Sequence, residues 1–357
     1  MPPLLRFFIG RLFSILVTLF IVTLVLYGIV MLTPPETRAT LYLPKRLPSR
    51  MTDEQYQNLI DQIIKRHHLK DPYPIQYVYW LQSLAQGTWG YSPVLQDDVL
   101  TALLQRTPAT AELTLYSIFL FLPLGLISGV AASWREGKAV DKGFRLIAFI
   151  STSIPPFILA LLLISIFYVA LRWFPPERLS LIFSLNLKQD GFRYYTGLLT
   201  IDGLLNHRLD VTIDALRHLV LPVITLSLFH WATLGRVTRA AMSDEFTKEY
   251  ALAARARGFT HNRVIWRHVL RNSLTPALTS SLLSAATLVT GVFVVEIIFA
   301  FHGVSDLIVR GLGAIPDAPA ALGFSVYSVI MVLLLMLFLD LIQAAVDPRY
   351  REGVVLS

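Results

Sequence analysis

The sequence predicts an all-α integral membrane protein with six transmembrane helices, a polar loop that carries its own short helices, and a small helical subdomain on the opposite side. Three observations predict it. Of the 357 residues, 54% are hydrophobic and only 15% charged, against about a quarter charged in soluble domains. Mean hydropathy is +0.58. Six stretches, 12–35, 113–134, 146–171, 218–235, 272–295 and 318–339, contain no Asp, Glu, Lys or Arg. Crossing the hydrocarbon core takes about 20 residues of helix. A charge at mid-membrane costs about 3 kcal/mol on insertion scales, so six such gaps are not accidents of composition.

The first run is too long for a cleaved leader and lacks a small-residue cleavage site, so it reads as a retained helix within residues 1–35. Residues 36–108 read as a helical subdomain. Thr52 and Gln55 form a capping box, and Tyr56, Leu59, Ile60, Ile63 and Ile64 follow at helical spacing. Asp71-Pro72 interrupts this helix, a second covers about 74–85, and Gly87-Thr88-Trp89-Gly90-Tyr91-Ser92 reads as a tight turn. Residues 109–346 hold the other five spans, an irregular loop at 172–217 and a basic loop at 239–275. Residues 347–357 are a tail. Pro123, Pro155-Pro156 and Pro222 lie within apolar runs and are expected to bend or break their helices.

Short loops rich in Lys and Arg mark the cytoplasmic side. Arg6 and Arg11, then Arg135, Lys138, Lys142 and Arg145, then Arg236, Arg239, Lys248, Arg255, Arg257, Arg263, Arg267 and Arg271, and last Arg349 and Arg351 fall on one side if both termini are cytoplasmic. The subdomain 36–108 is then extracytoplasmic. Anionic lipid opposite these loops accounts for the +7 net charge without nucleic acid. With no cysteine, disulfides and thiolate metal sites are excluded.

The basic loop is the most informative stretch. Residues 245–257 are good helix formers ending in Arg255 and Arg257, which suit a helix C-terminus. Gly258 stands where a helix stop needs a left-handed residue. Thr260 or Asn262 caps a second short helix, with Val264, Ile265, Val269 and Leu270 on one side and Arg263, Arg267 and Arg271 on another. Taken alone, such a helix can also simply lie on lipid headgroups.

This stretch resembles the Glu-Ala-Ala loop of binding-protein-dependent ABC importer permeases, and most of all the dipeptide/oligopeptide branch. The matching residues are Glu249-Tyr250, Ala253, Ala254-Arg255-Ala256-Arg257-Gly258 and His268-Val269-Leu270-Arg271-Asn272, with Leu252 in the place of the pattern's Glu. Other landmarks similar to that branch follow in order. They are Asp71-Pro72, Gln76-Tyr77, Trp80-Leu81, Gly87 to Ser92, Arg106 to Leu113, Ile154-Pro155-Pro156-Phe157, His218 to Pro222, Glu296 to Phe299, Asp340 and Asp347-Pro348-Arg349. Three stretches depart from it: Thr33-Pro34-Pro35-Glu36, residues 302–320 with Ile315-Pro316-Asp317-Ala318-Pro319, and much of 172–217.

The resemblance implies a type I importer permease of a bacterial inner membrane that carries peptides or related solutes. It implies a sister permease, two cytoplasmic ATPases and an extracytoplasmic solute-binding protein as partners. Glu249, Tyr250, Ala253, Ala254, Arg255, Arg257 and Gly258 become the expected coupling residues, with Arg255 and Arg257 expected to meet acidic ATPase groups. No Gly-x-x-x-x-Gly-Lys-Ser/Thr occurs, so no cofactor is expected on this chain and ATP with Mg is expected on the partners.

Glu296, Phe299, Pro155, Pro156 and His230 are candidates for the pathway or its gate, each with a plain packing role as the other reading. Glu112 and Asp340 are weighed likewise, and the pair His67-His68 is a weak candidate for metal binding. No His-Glu-x-x-His or Gly-x-Ser-x-Gly is present. The alternatives are an ion-coupled secondary transporter, which calls for paired mid-membrane carboxylates or inverted repeats, and a membrane-embedded enzyme, which calls for clustered polar residues at one depth.

Overall fold

A computed structural model describes residues 3–44, 51–189, 191–311 and 317–346. Ile315-Pro316, Asp347-Pro348-Arg349, Arg351 and the tail 347–357 lie outside the described residues.

The elements run in order as follows. Helix α1 spans Pro3–Val30, α2 Pro35–Ala39, α3 Asp53–Arg66 and α4 Tyr73–Ala85. A two-residue hairpin, β1 (Tyr91–Ser92) with β2 (Asp97–Asp98), precedes α5 (Val99–Trp134). Then come α6 (Ala139–Ser153), α7 (Pro156–Leu163, continued by a π-helical stretch Ile164–Ala170), α8 (Leu181–Gln189), α9 (Leu199–Leu205) and α10 (Leu209–Phe246). The chain closes with α11 (Glu249–Ala256), α12 (His261–Val264), a π-helical turn Ile265–Val269, α13 (Leu270–Ile298), α14 (Ser305–Gly311) and α15 (Ala318–Val346). Among the described residues five helices are long and apolar enough to cross a membrane: Arg6–Val30, Val99–Trp134, Leu209–Phe246, Asn262–Ile298 and Ala318–Leu341. Helix α6 with α7 and its π stretch is long and apolar enough only as a pair, bent by 100° at Ile154-Pro155, and brings the number of spans to six where that pair crosses as one.

That break has a local cause. Pro155 holds Ile154 extended at φ −96°, ψ 118°, and Pro156 starts α7 at a position where no N–H is needed. Pro123 and Pro222 behave otherwise. Each sits inside a continuous helix, α5 and α10, so the expected break does not occur there. The 172–217 loop also differs from expectation, since α8 and α9 occupy much of it.

The chain divides into two compact units, one of Met1–Phe7, Pro108–Gly303 and Leu335–Ser357, the other of Phe8–Thr107 and Val304–Leu334. In the second unit the Thr52–Gln55 capping box is present and starts α3. Ile60, Ile63, Ile64 and Leu69 pack with Ala39. Arg38, 6% exposed, donates to Gln76 at 2.5 Å, and Gln76 in turn donates to the Leu69 carbonyl at 3.0 Å. Asp317 caps α15 through the Ala320 N–H at 3.0 Å and accepts from the Ser92 hydroxyl at 2.5 Å, which ties the hairpin to that helix start. His67 stacks on Tyr42 and His68 pairs with Asp71 at 2.9 Å, so both imidazoles serve local packing.

In the first unit α10 is the central helix, packed on α6, α7, α9 and α13. Leu113, Phe121, Leu219, Leu226, Leu234, Leu288, Val292, Val295 and Phe299 form the core. Helices α5 and α10 touch through glycine. A Cβ at Gly129 would lie 2.6 Å from Thr238 and 2.7 Å from the Gly235 carbonyl, the close approach that small residues allow between membrane helices.

The 172–217 loop is fastened by buried charge. Glu112, 2% exposed, accepts from Arg178 at 2.6 Å and from the Thr200 N–H and hydroxyl at 2.9 and 2.7 Å. Asp214 accepts from the Ser180 N–H and hydroxyl at 2.8 and 2.6 Å. Breaking a buried pair by removing one partner costs about 3–5 kcal/mol, whereas replacing both with apolar groups is often neutral. Glu112→Met is therefore expected to lower the midpoint of thermal unfolding in detergent. Glu112→Met combined with Arg178→Leu is expected to recover most of the loss, and no recovery would contradict the pairing.

Candidate coupling site

The chain leaves α10 at Phe246, turns at Thr247 and starts α11 two residues later. The far end of α11 is closed by a Schellman motif. Gly258 N–H donates to the Arg255 carbonyl at 2.9 Å and Phe259 N–H to the Ala254 carbonyl at 3.3 Å. Gly258 takes φ +77°, and a Cβ added there would meet nothing within 4 Å. Glycine is thus required by backbone conformation and not by space.

The expected second short helix is corrected by the structure. Residues from Asn262 run through the π-helical turn straight into α13 as one 37-residue helix, because no glycine or proline interrupts 262–275. The expected division of faces holds. Val264, Ile265 and Val269 are buried, while Arg263, Arg267 and Arg271 are exposed.

Helix α11 has two unlike faces. Ala251 and Ala254 are buried with Val130 of α5, Met242 of α10, and Val264, Ile265 and Val269. Phe246, Tyr250, Phe259 and Leu270 close around them. The opposite face carries Glu249, Leu252, Ala253 and Ala256 at i, i+3, i+4 and i+7, all exposed. Leu252 is 51% exposed. Ala254 therefore packs inward, and Ala253 and Ala256 are the small residues that face out.

The two arginines also part company. The Arg255 guanidinium lies 5.2 Å from the centre of the Phe246 ring, a cation–π contact. Arg257 is exposed, with no side-chain partner among the described residues. Beyond the turn, Arg263 lies 4.7 Å over the Phe259 ring, and His268 stacks on the same ring at 5.8 Å. Burial pushes the Tyr250 hydroxyl above its ordinary value, so it is protonated at neutral pH.

Sequence reading missed one supporting contact. Asp141 at the start of α6 is fully buried and accepts two bonds from Arg239 of α10, at 2.5 and 3.0 Å, and one from the Gly137 N–H at 3.0 Å. The partners are 98 positions apart, and no local pattern signals such a pair. The bidentate geometry fixes orientation as well as distance.

The pathway candidates occupy separate places. Pro155 and Pro156 form the 100° break. His230 is 6% exposed between the rings of Phe121 and Phe229, and its Nδ1 has no partner among the described residues. Glu296 and Phe299 lie together at the end of α13. Glu296, 1% exposed, accepts from the Thr110 hydroxyl and lies against Gly303, where a Cβ would clash with the carboxylate. Phe299 is buried and its carbonyl accepts from the Glu177 N–H at 2.7 Å. Ala300 then adopts φ +51° as the helix closes. None of this is catalytic machinery. Among the described residues no three His, Cys, Asp or Glu gather to hold a metal. The arrangement offers an exposed helix face joined to the ends of three long helices, which suits transmission of force.

Left-handed backbone costs a residue with a Cβ about 1–2 kcal/mol, and Asn less. Gly258→Val is expected to weaken the α11 turn and either lower assembly or uncouple transport, with Gly258→Asn milder. Circular-dichroism melts and uptake assays check this order, and normal uptake in the valine variant would contradict it.

The chain is 31% identical over 350 residues to the di/tripeptide transport system permease protein DppB of Pseudomonas aeruginosa, covering 98% of this chain and 99% of that one. It is 33% identical over 290 residues to the oligopeptide transport system permease protein AppB of Bacillus subtilis, covering 81% and 84%. A dipeptide transport system permease protein of Alkalihalophilus pseudofirmus is 28% identical over 348 residues, covering 98% and 100%. Residues 122–352, which include α11 and Gly258, match the family described as binding-protein-dependent transport system inner membrane component. This chain is a multi-pass membrane permease of that family, a transport component of an ABC importer with no ATPase site of its own, built to work with ATPase and binding-protein partners.

Proposed function

We propose that this permease forms half of a translocation pathway for di- or oligopeptides in a bacterial inner membrane, driven by ATP hydrolysed on partner subunits. One observation carries the reading: an exposed face of Glu249, Leu252, Ala253 and Ala256 on a helix whose other face is packed on α5, α10 and α13. A groove on a cytoplasmic ATPase accepts that face, with Leu252 as its apolar anchor and Arg257 free to meet an acidic group. The excess of Lys and Arg in the short loops supports a cytoplasmic position for this face and for both termini. Peptides are supported as cargo by the relatives, whose names specify di/tripeptide and oligopeptide transport over most of this chain's length.

The working assembly has a sister permease, two ATPases that hold ATP and Mg, and a solute-binding protein on the far side. Closure of the ATPases on ATP moves α11, and the spans fused to it shift between two packed states. A ligand bound outside the bundle thereby biases a bistable element. Buried carboxylates in the spans are engaged within the chain, as Glu112 is by Arg178 and Thr200 and Glu296 is by Thr110.

In vesicles holding the full complex, peptide uptake is expected to require ATP and the binding protein and to survive a protonophore. Leu252→Arg places a charge where an apolar anchor is buried at the interface and is expected to reduce co-purified ATPase by at least about tenfold, the factor for 1.4 kcal/mol. Uptake driven by a proton gradient without ATP, or full ATPase recovery with the arginine variant, would overturn the proposal.

A further inference from the structure

Helix α6 starts from a bonded turn that fixes which way it faces. Gly137 takes φ +74°, and its N–H donates to the Asp141 carboxylate at 3.0 Å. Arg239 of α10 donates to both oxygens of the same carboxylate. Asp141, Phe144, Ala148 and Ser151, at i, i+3, i+7 and i+10, form the buried face. The opposite face carries Lys138, Lys142 and Arg145, all exposed. It runs on through Leu146 and Phe149, which are 61% and 66% exposed. A basic half and an apolar half thus share one stripe of a single helix, and about 10 Å of helix separates Lys142 from Phe149.

The charge on this stripe is not consumed within the chain. The two carboxylates of residues 135–150, Glu136 and Asp141, both accept from Arg239. Lys138 and Lys142 have no side-chain partner among the described residues. Arg145 reaches Asp141 at 3.5 Å, a carboxylate that Arg239 already neutralises. Trp134, at the end of α5, is exposed, with the Arg135 guanidinium 5.8 Å from its ring. Exposed tryptophan among basic residues marks a membrane–water interface. An acidic protein surface, or free phosphate, would meet the lysines and leave Leu146 and Phe149 bare. A phospholipid meets both halves.

We propose that the outward face of α6 is a binding site for one anionic phospholipid, with its phosphate held by Lys138, Lys142 and Arg145 and its acyl chains laid along Leu146 and Phe149. The Asp141–Arg239 pair keeps the basic residues turned outward. The lysine and arginine stems lie along the apolar surface while their charged ends reach the headgroup. The site depends on the chain's place in the membrane and not on the docking of ATPases to α11.

The intact permease in nanodiscs of mixed phosphatidylcholine and phosphatidylglycerol is stripped with detergent, and native mass spectrometry counts the lipid that stays. Phosphatidylglycerol is expected to be enriched at least about tenfold over its share of the mixture. Each lysine at an anionic headgroup contributes about fivefold, so Lys138→Gln with Lys142→Gln is expected to remove most of the enrichment. Both side chains are exposed and make no bond, so the melting midpoint of that variant in phosphatidylcholine alone is expected to match the unaltered chain's. Lys138→Arg with Lys142→Arg keeps the charge and is expected to keep the enrichment. Arg263→Gln with Arg267→Gln, in another basic loop, is expected to leave most of it. Equal loss in the two glutamine variants would mean diffuse attraction and overturn the site. Equal retention of both lipids by the unaltered chain, or displacement of the lipid by excess inorganic phosphate, would overturn it too. Loss of co-purified ATPase from Lys138→Gln with Lys142→Gln, with enrichment intact, would assign the lysines to protein contact instead.

Discussion

Lipid offers a backbone or a polar side chain no partner, and nearly every feature of this structure follows from that absence. The spans are helical because a helix satisfies its own N–H and carbonyl groups. Hydroxyls within them turn back on their own helix, as Ser117 does to Leu113, Thr225 to Leu221, Thr238 to Leu234 and Ser281 to Ala277. The stronger polar groups are paired across elements: Glu112 with Arg178, Glu296 with Thr110, Asp141 with Arg239. A charge that escapes such pairing is more costly in hydrocarbon than in water, so these contacts also determine which helices lie together.

The same constraint explains why prolines of one residue type have different consequences. At Pro123 and Pro222 a single N–H is missing, and the helix continues through the loss. Pro155 and Pro156 remove two consecutive donors and force the preceding residue out of the helical region, so the chain turns by 100°. A sharp turn at Ile154-Pro155 and continuous long helices elsewhere make the first unit a set of rods with one marked corner.

Stiff rods are useful to an importer only if something grips them. Helix α11 is the proposed grip, and its construction is economical. Alanine on the inward face lets it sit close to Met242 and Val130, a Schellman motif ends it cleanly, and π-stacking of His268 on Phe259 continues the packing past the turn. The outward face keeps Leu252 exposed. Gly129 and Gly235 bring α5 and α10 into direct contact near the same end, so motion reaching α10 is not lost to slack between the helices.

Much of this was legible in the residues. Charge-free runs marked the spans because the cost of a buried charge is written locally. The capping box at Thr52 and Gln55 and the stop at Gly258 were readable because caps act over three or four residues. Alternation of Val264, Ile265 and Val269 with Arg263, Arg267 and Arg271 foretold a two-faced helix. Tertiary structure alone decided the rest. It turned Ala254 inward while leaving Ala253 out, engaged Arg255 with Phe246, ran the second loop helix into α13, and placed helices in 172–217. It also joined Asp141 to Arg239 and Tyr250 to Glu245. The sequence by itself determined what each segment must avoid in lipid, because that cost belongs to the segment. Which partners relieve that cost belongs to pairs of distant residues, and only the folded chain brings those pairs together.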